Sequence, residues 1–210
     1  MPNWTENTWS IEGDAEALNV VRNALHDGLF DFDRLIPTPK ELERSQSPLK
    51  VVATQNEADA LNASWREKAT KFNWPDQDLE TIVAITKEER DRRIDTYGAI
   101  TWYDFHNKYW GTKWPGSRLG IINDEPNRLV VHFDTAWSAP LAIAEHLMSL
   151  GLSVYGGGIY EDGSEFEMLG DDEQAFNKRF TVVEEEIAHD DYTWINRSID
   201  WIGKPQPVAV

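Results

Sequence analysis

Cysteine is absent from the 210 residues, so disulfides, thiolate metal sites and cysteine nucleophiles are excluded, and nothing implies an oxidising compartment. Basic residues are scarce: 20 lysines and arginines stand against 37 carboxylates, a net charge of −17. That sign disfavours bare nucleic acid and anionic membranes, because repulsion opposes each encounter. Long apolar runs are missing too. No stretch approaches the roughly 20 residues a membrane span needs, and Met1–Asn7 lacks the charged-then-apolar pattern of a signal segment. The expectation is a soluble protein of the cytoplasm. Catalytic signatures are likewise wanting: there is no Walker A loop, no HExxH and no GxSxG, and Gly156-Gly157-Gly158 lacks the following helix that a phosphate cradle needs.

What is present suffices for a core. Hydrophobic residues make up 40% of the chain, and its length fits one domain, 1–210, carrying an insertion. Period-two alternation of Trp9 and Ile11 predicts a strand over Asn7–Gly13. A helix follows from an Asp14 cap to a Gly28 stop, with Leu18, Val21 and Leu25 inward. Leu29–Ile36 reads as an extended connector closed by Pro37 and Pro39. Residues 37–115 read as a helical insertion. Ser45-Gln46-Ser47-Pro48 is expected as an exposed loop, and Asn56–Lys71 and a segment opened by Pro75 as helices. A long helix should start at a Thr86/Glu89 capping box, lay Ile94, Gly98, Trp102, Phe105 and Tyr109 along one stripe, and end at Gly111.

Ser117–Asn123 and Arg128–Asp134 flank a turn at Asp124–Asn127 and predict a hairpin. A helix capped by Ser138 comes next, then strands Leu152–Tyr160 and Glu165–Leu169 around Asp162-Gly163, with a bulge or close backbone approach at the triple glycine. Residues 170–210 form an acidic C-terminal extension with a short helix over Tyr192–Ile202. The order strand, helix, insertion, strand, strand, helix, strand predicts an α+β, ferredoxin-like βαββαβ sandwich with an extra edge strand.

Met1-Pro2-Asn3-Trp4, Phe30-Asp31-Phe32, Trp102-Tyr103, Trp110-Gly111-Thr112-Lys113-Trp114 and Thr135–Pro140 together resemble the YubB-type family of phage and plasmid proteins. Those proteins are uncharacterised and carry a ferredoxin-like domain. The resemblance runs to about residue 170 and implies an accessory protein of a mobile element in a host cytoplasm. Where members have a cysteine after the first tryptophan, this chain has Thr5. The family supplies no catalytic residue.

Candidate binding residues are Trp102, Trp110, Thr112, Lys113, Trp114 and Trp137, as an aromatic pocket or stacking platform. The structural alternative is that these rings seal the insertion onto the sheet, with Lys113 over an indole face. Stacking platforms for single strands normally sit in basic grooves, which this charge balance opposes. His132 and Asp134, at i and i+2 on one strand face, are a metal or general-base candidate that lacks a third ligand; His106 and His146 are the suppliers to test. The pairs Asp31/Asp33, Glu161/Asp162 and Glu165/Glu167 suit a magnesium site, but in a chain this acidic such pairs arise by chance. No cofactor is implied. The functional expectation is a non-enzymatic protein that engages a basic or DNA-binding host protein through its carboxylates. The alternative is a metal-dependent hydrolase acting on nucleic acid or nucleotides.

Overall fold

The computed structural model describes residues 3–170 and 183–185. Of the expected acidic extension over 170–210, all but Gly170 and Val183–Glu185 lies outside the described residues, the Tyr192–Ile202 helix included. The backbone divides into two compact units, one formed by Met1–Ile36 with Trp110–Val210, the other by Pro37–Tyr109.

The first unit opens with strand β1, Trp4–Glu12. Helix α1, Ala15–Ala24, follows and buries Leu18, Val21 and Ala24. Asp14 stands at its N-terminus, but its side chain makes no capping bond. The helix also stops short of Gly28. Asp27 and Gly28, with φ of 50° and 75°, instead turn the chain between two-residue strands β2 (Leu25–His26) and β3 (Leu29–Phe30). Asp-Gly suits such a turn because both central residues need a positive φ.

The second unit is not all helical. Helix α2 (Lys40–Glu43) leads to strand β4 (Ser45–Val52), and helices α3 (Gln55–Lys71) and α4 (Asp76–Leu79) lead to strand β5 (Ile82–Thr86), which pairs parallel with β4. The expected loop at Ser45–Pro48 is therefore strand, and Ser45 is buried with its hydroxyl donating to Leu42 O at 2.5 Å. A capping box at Thr54 and Glu57 starts α3. Asn62 on α3 docks it to the sheet: its Oδ1 accepts the amides of Val83 and Ala84, and its Nδ2 donates to Ala84 O.

The single long helix expected after Thr86 is two helices, α5 (Lys87–Tyr97) and α6 (Trp102–Tyr109). Gly98 ends α5 at φ 66°, a conformation that breaks the helix, and Ile94 of the expected stripe is 45% exposed. Thr86 Oγ1 accepts the Glu89 amide, but the Glu89 carboxylate does not return to the cap. It takes Arg92 and the buried Arg93, which also donates to Ile100 O, and these bonds hold its pKa down to about 2.

Back in the first unit come β6 (Ser117–Glu125), β7 (Arg128–Ala136), helix α7 (Leu141–Ser149), β8 (Ser153–Ile159), β9 (Glu165–Gly170) and β10 (Val183–Glu185). They join β1 in a six-stranded sheet of order β10-β9-β8-β1-β7-β6, antiparallel at each described pairing. Its inner face carries Trp9, Ile11, Leu129, Val131, Phe133 and Val154, all fully buried, as are Ile143, Ala144 and Leu147 of α7. Trp9, Phe30 and Phe133 meet edge to face, 5.1 Å between Trp9 and Phe133 and 5.2 Å between Phe30 and Phe133. The glycines of β8 make this possible: a Cβ on Gly156 would strike Trp9 and Thr8 O, and one on Gly158 would strike Phe166 and Glu6 O. The close approach expected at the triple glycine is thus a steric requirement at two of its three positions. The opposite face is polar, with Glu6, Thr8, Ser10, His132 and Asp134 brought abreast by the β1–β7 register. No described helix is long and apolar enough to cross a membrane.

Candidate functional site

Of the expected aromatic set, Trp102 stands apart in sequence, on α6 of the second unit. Its ring packs on Tyr103 and His106, and its amide donates to Ser45 Oγ at 3.3 Å. The other members cluster where the chain re-enters the first unit. Trp110 is 2% exposed; it packs on Phe32 at 6.0 Å and its indole N–H donates to Ile36 O at 3.0 Å. Thr112 is buried, and its hydroxyl donates to Ala136 O at 2.7 Å. Ser138, expected as a helix cap, instead donates to Gly111 O at 2.6 Å, while Pro140 stands at the start of α7. Trp110 and Thr112 thus bond residues 110–112 to Ile36 and Ala136 of the same unit. Lys113 lies 4.4 Å from the Trp114 ring centroid, and Trp114 in turn packs against Trp4 at 6.3 Å. This is the cation–π contact the sequence anticipates for Lys113.

Trp137 behaves differently. Its φ is 75°, a left-handed conformation that a bulky residue adopts only under constraint and at a cost of roughly 1–3 kcal/mol, and the residue is 56% exposed. The Trp137 amide donates to Asn3 O at 2.8 Å, which fixes the turn. The ring walls a cleft of 380 Å³ with Asn3, Trp4, Thr5, Tyr160, Glu161, Asp162 and Ser164. The cleft lies where β1 starts and the β8–β9 turn closes. Ser164 donates both its amide (3.0 Å) and its hydroxyl (2.6 Å) to Asp162 Oδ1, which orients that carboxyl group and holds its pKa below the usual value. Tyr160 is braced by Phe166, 5.1 Å away. Among the described residues, none lining the cleft is basic. A wider hollow of 590 Å³ in the second unit, between Lys40, Glu41, Glu43, Arg44 and Ile82, mixes both signs, and two of its charged residues are ion-paired, Glu41 with Arg92 and Arg44 with Glu80.

The His132–Asp134 pair sits on the polar sheet face as its spacing predicts. Thr8 Oγ1 is 3.1 Å from His132 Nδ1, and His132 Nε2 is 3.9 Å from Asp134 Oδ1. The Arg118 guanidinium lies against the other Asp134 oxygen. Burial pushes the Asp134 carboxyl above its usual pKa and Glu6 adds to the shift, while Arg118 and His132 oppose it. His106 is engaged with Thr38 in the second unit, and burial on α7 lowers the His146 pKa. Among the described residues no three of His, Asp and Glu gather as metal ligands. Asp31 and Asp33 do not form an ion site: Asp31 caps the turn at Phe32–Arg34 and bonds His26 at 3.0 Å, raising the His26 pKa.

Trp4, Tyr160, Glu161 and Asp162 are cleft residues that the sequence reading leaves out of its binding set. The signal was there in part: Trp4 belongs to the conspicuous N-terminal tetrad and Asp162-Gly163 to a recognised turn, but only the β1–β8 register joins them.

No family model matches the chain, and no curated protein does. Among solved structures, the crystal structure of a protein api92 from Yersinia pseudotuberculosis, family-model DUF1281, is similar at a TM-score of 0.46 and 11% identity, covering 90% of this chain and 100% of that one.

Proposed function

We propose that this is a non-enzymatic binding protein of a phage or plasmid, acting in the host cytoplasm by engaging a basic or nucleic-acid-associated host protein. Its scaffold is read as ferredoxin-like: the four strands β8-β1-β7-β6 with α1 and α7 follow the βαββαβ plan, the Pro37–Tyr109 unit is the insertion, and β9 is the added edge strand. The observation that carries the reading is where the negative charge lies. Asp134 is the one buried carboxylate among the described side chains; the other described carboxylates, which outnumber the described basic residues, are half-buried or exposed. Solvated carboxylates in that excess raise the rate of encounter with basic surfaces and repel bare nucleic acid. The mobile-element setting rests on the family resemblance of the tryptophan motifs.

The test is capture from host lysate on the immobilised chain, at low and at moderate salt, with retained proteins identified by mass spectrometry. Basic, nucleic-acid-associated proteins should be retained at low salt and lost progressively as salt rises. Retention of no basic protein at either salt would refute the reading.

A further inference from the structure

We propose that the cleft walled by Trp137 receives an arginine side chain of the basic partner, an inference that rests on the reading above and specifies where recognition occurs. Three observations converge on a cation. The walls include the rings of Trp4, Trp137 and Tyr160, whose π faces attract positive charge. The rim carries Glu161 and Asp162, both exposed, and among the described residues no lining residue is basic. The same corner already holds a cation on an indole, Lys113 at 4.4 Å from the Trp114 centroid, with Trp114 packed on Trp4.

The backbone adds a fourth. At φ 75°, position 137 is one that glycine would fill without strain, yet the chain places its largest side chain there and leaves it 56% exposed. An exposed ring held by a constrained backbone gains nothing for the core, and a constraint of this kind is a mark of a binding surface. The volume of 380 Å³ falls at the small end of ligand pockets, about 300–1,000 Å³, enough for a side chain and its flanking backbone. Arginine fits better than lysine. A guanidinium can lie flat on an indole while its edge pairs with a carboxylate, and Asp162, whose Oδ1 is fixed by Ser164, supplies one at the rim.

The probe is a blocked pentapeptide with arginines at its second and fourth positions among glycines, titrated into the full chain and followed by tryptophan fluorescence and calorimetry. Its lysine counterpart runs in parallel. Trp137→Gly, which keeps the backbone and removes the ring, should weaken binding of the arginine peptide tenfold or more with an unchanged far-ultraviolet dichroism spectrum. Trp137→Phe should restore part of it. Asp162→Asn should weaken binding and flatten its salt dependence, and the lysine peptide should bind several-fold less tightly. Equal binding by the parent and Trp137→Gly, with basic proteins still captured from lysate, would overturn the cleft and leave the basic-partner reading standing. Equal affinity for the lysine peptide would overturn the choice of arginine. Failure to hold any basic peptide or protein at low salt would overturn both proposals together.

Discussion

Trp9, Phe30, Phe32, Trp110 and Phe133 lie edge to face under the six-stranded sheet, all at 2% exposure or less, whereas Trp4, Trp137 and Tyr160 at the end of the same sheet keep ring surface in water. The first set is closed by local devices: a glycine at 156 that lies against Trp9, and the Trp110 indole N–H satisfied by Ile36 O. The second is held open by a strained φ at Trp137 and a turn that aims two carboxylates beside it. Aromatic content therefore does not by itself distinguish buried core from open cleft in this chain; backbone conformation and the charge of the neighbours differ between the two.

The contrast can be broken most sharply at Phe133. Phe133→Ala removes a ring that meets Trp9, Phe30 and Phe32, and should cost about 3–5 kcal/mol in urea unfolding. A loss under about 1 kcal/mol would mean the interior is not close-packed. Gly158→Ala forces a methyl onto Glu6 O and the Phe166 ring and should cost about 1–3 kcal/mol, again by urea midpoint. At the open end the sign changes. Trp137→Gly relieves the left-handed strain, and set against glycine's extra chain entropy the net should run from no change to a gain of about 1 kcal/mol. A destabilisation like that of Phe133→Ala would show Trp137 to be a core residue after all.

The smallest effect is a pH dependence on the polar face. Burial raises the Asp134 pKa above its usual 3.8, so the fold favours the protonated carboxyl. Its contribution to stability is present at low pH and is lost as pH rises through the elevated value. The stability of the parent relative to Asp134→Asn, which cannot ionise, should therefore fall as pH rises above the usual carboxylate value of 3.8. A difference that stays constant or grows with pH would contradict the burial argument.

Much of the sheet was legible because its signals are local. Alternation marked β1 and β7, Asp124–Asn127 marked the β6–β7 turn, and the triple glycine announced a close approach. The second unit was read less well. Pro48 and the polar residues around it disguised β4, a strand whose partner β5 lies more than thirty residues on and pairs in parallel. The charged run Lys87–Arg93 has the composition of a solvated helix start, yet Arg93 is 2% exposed because Glu89 and the Ile100 carbonyl satisfy it. Gly98 stood inside a plausible helical stripe, and only its positive φ shows that it ends one. The cleft was half legible: Trp137 was named, but its carboxylate neighbours are brought to it by strand register, which the sequence does not display.

The most direct test of the proposed function is the salt dependence of binding between this chain and a purified, positively charged DNA-binding protein. The exposed carboxylates predict an affinity that falls steeply from low to moderate salt, and lower affinity for Trp137→Gly at every salt. Absence of binding at low salt, or binding indifferent to salt, would contradict it.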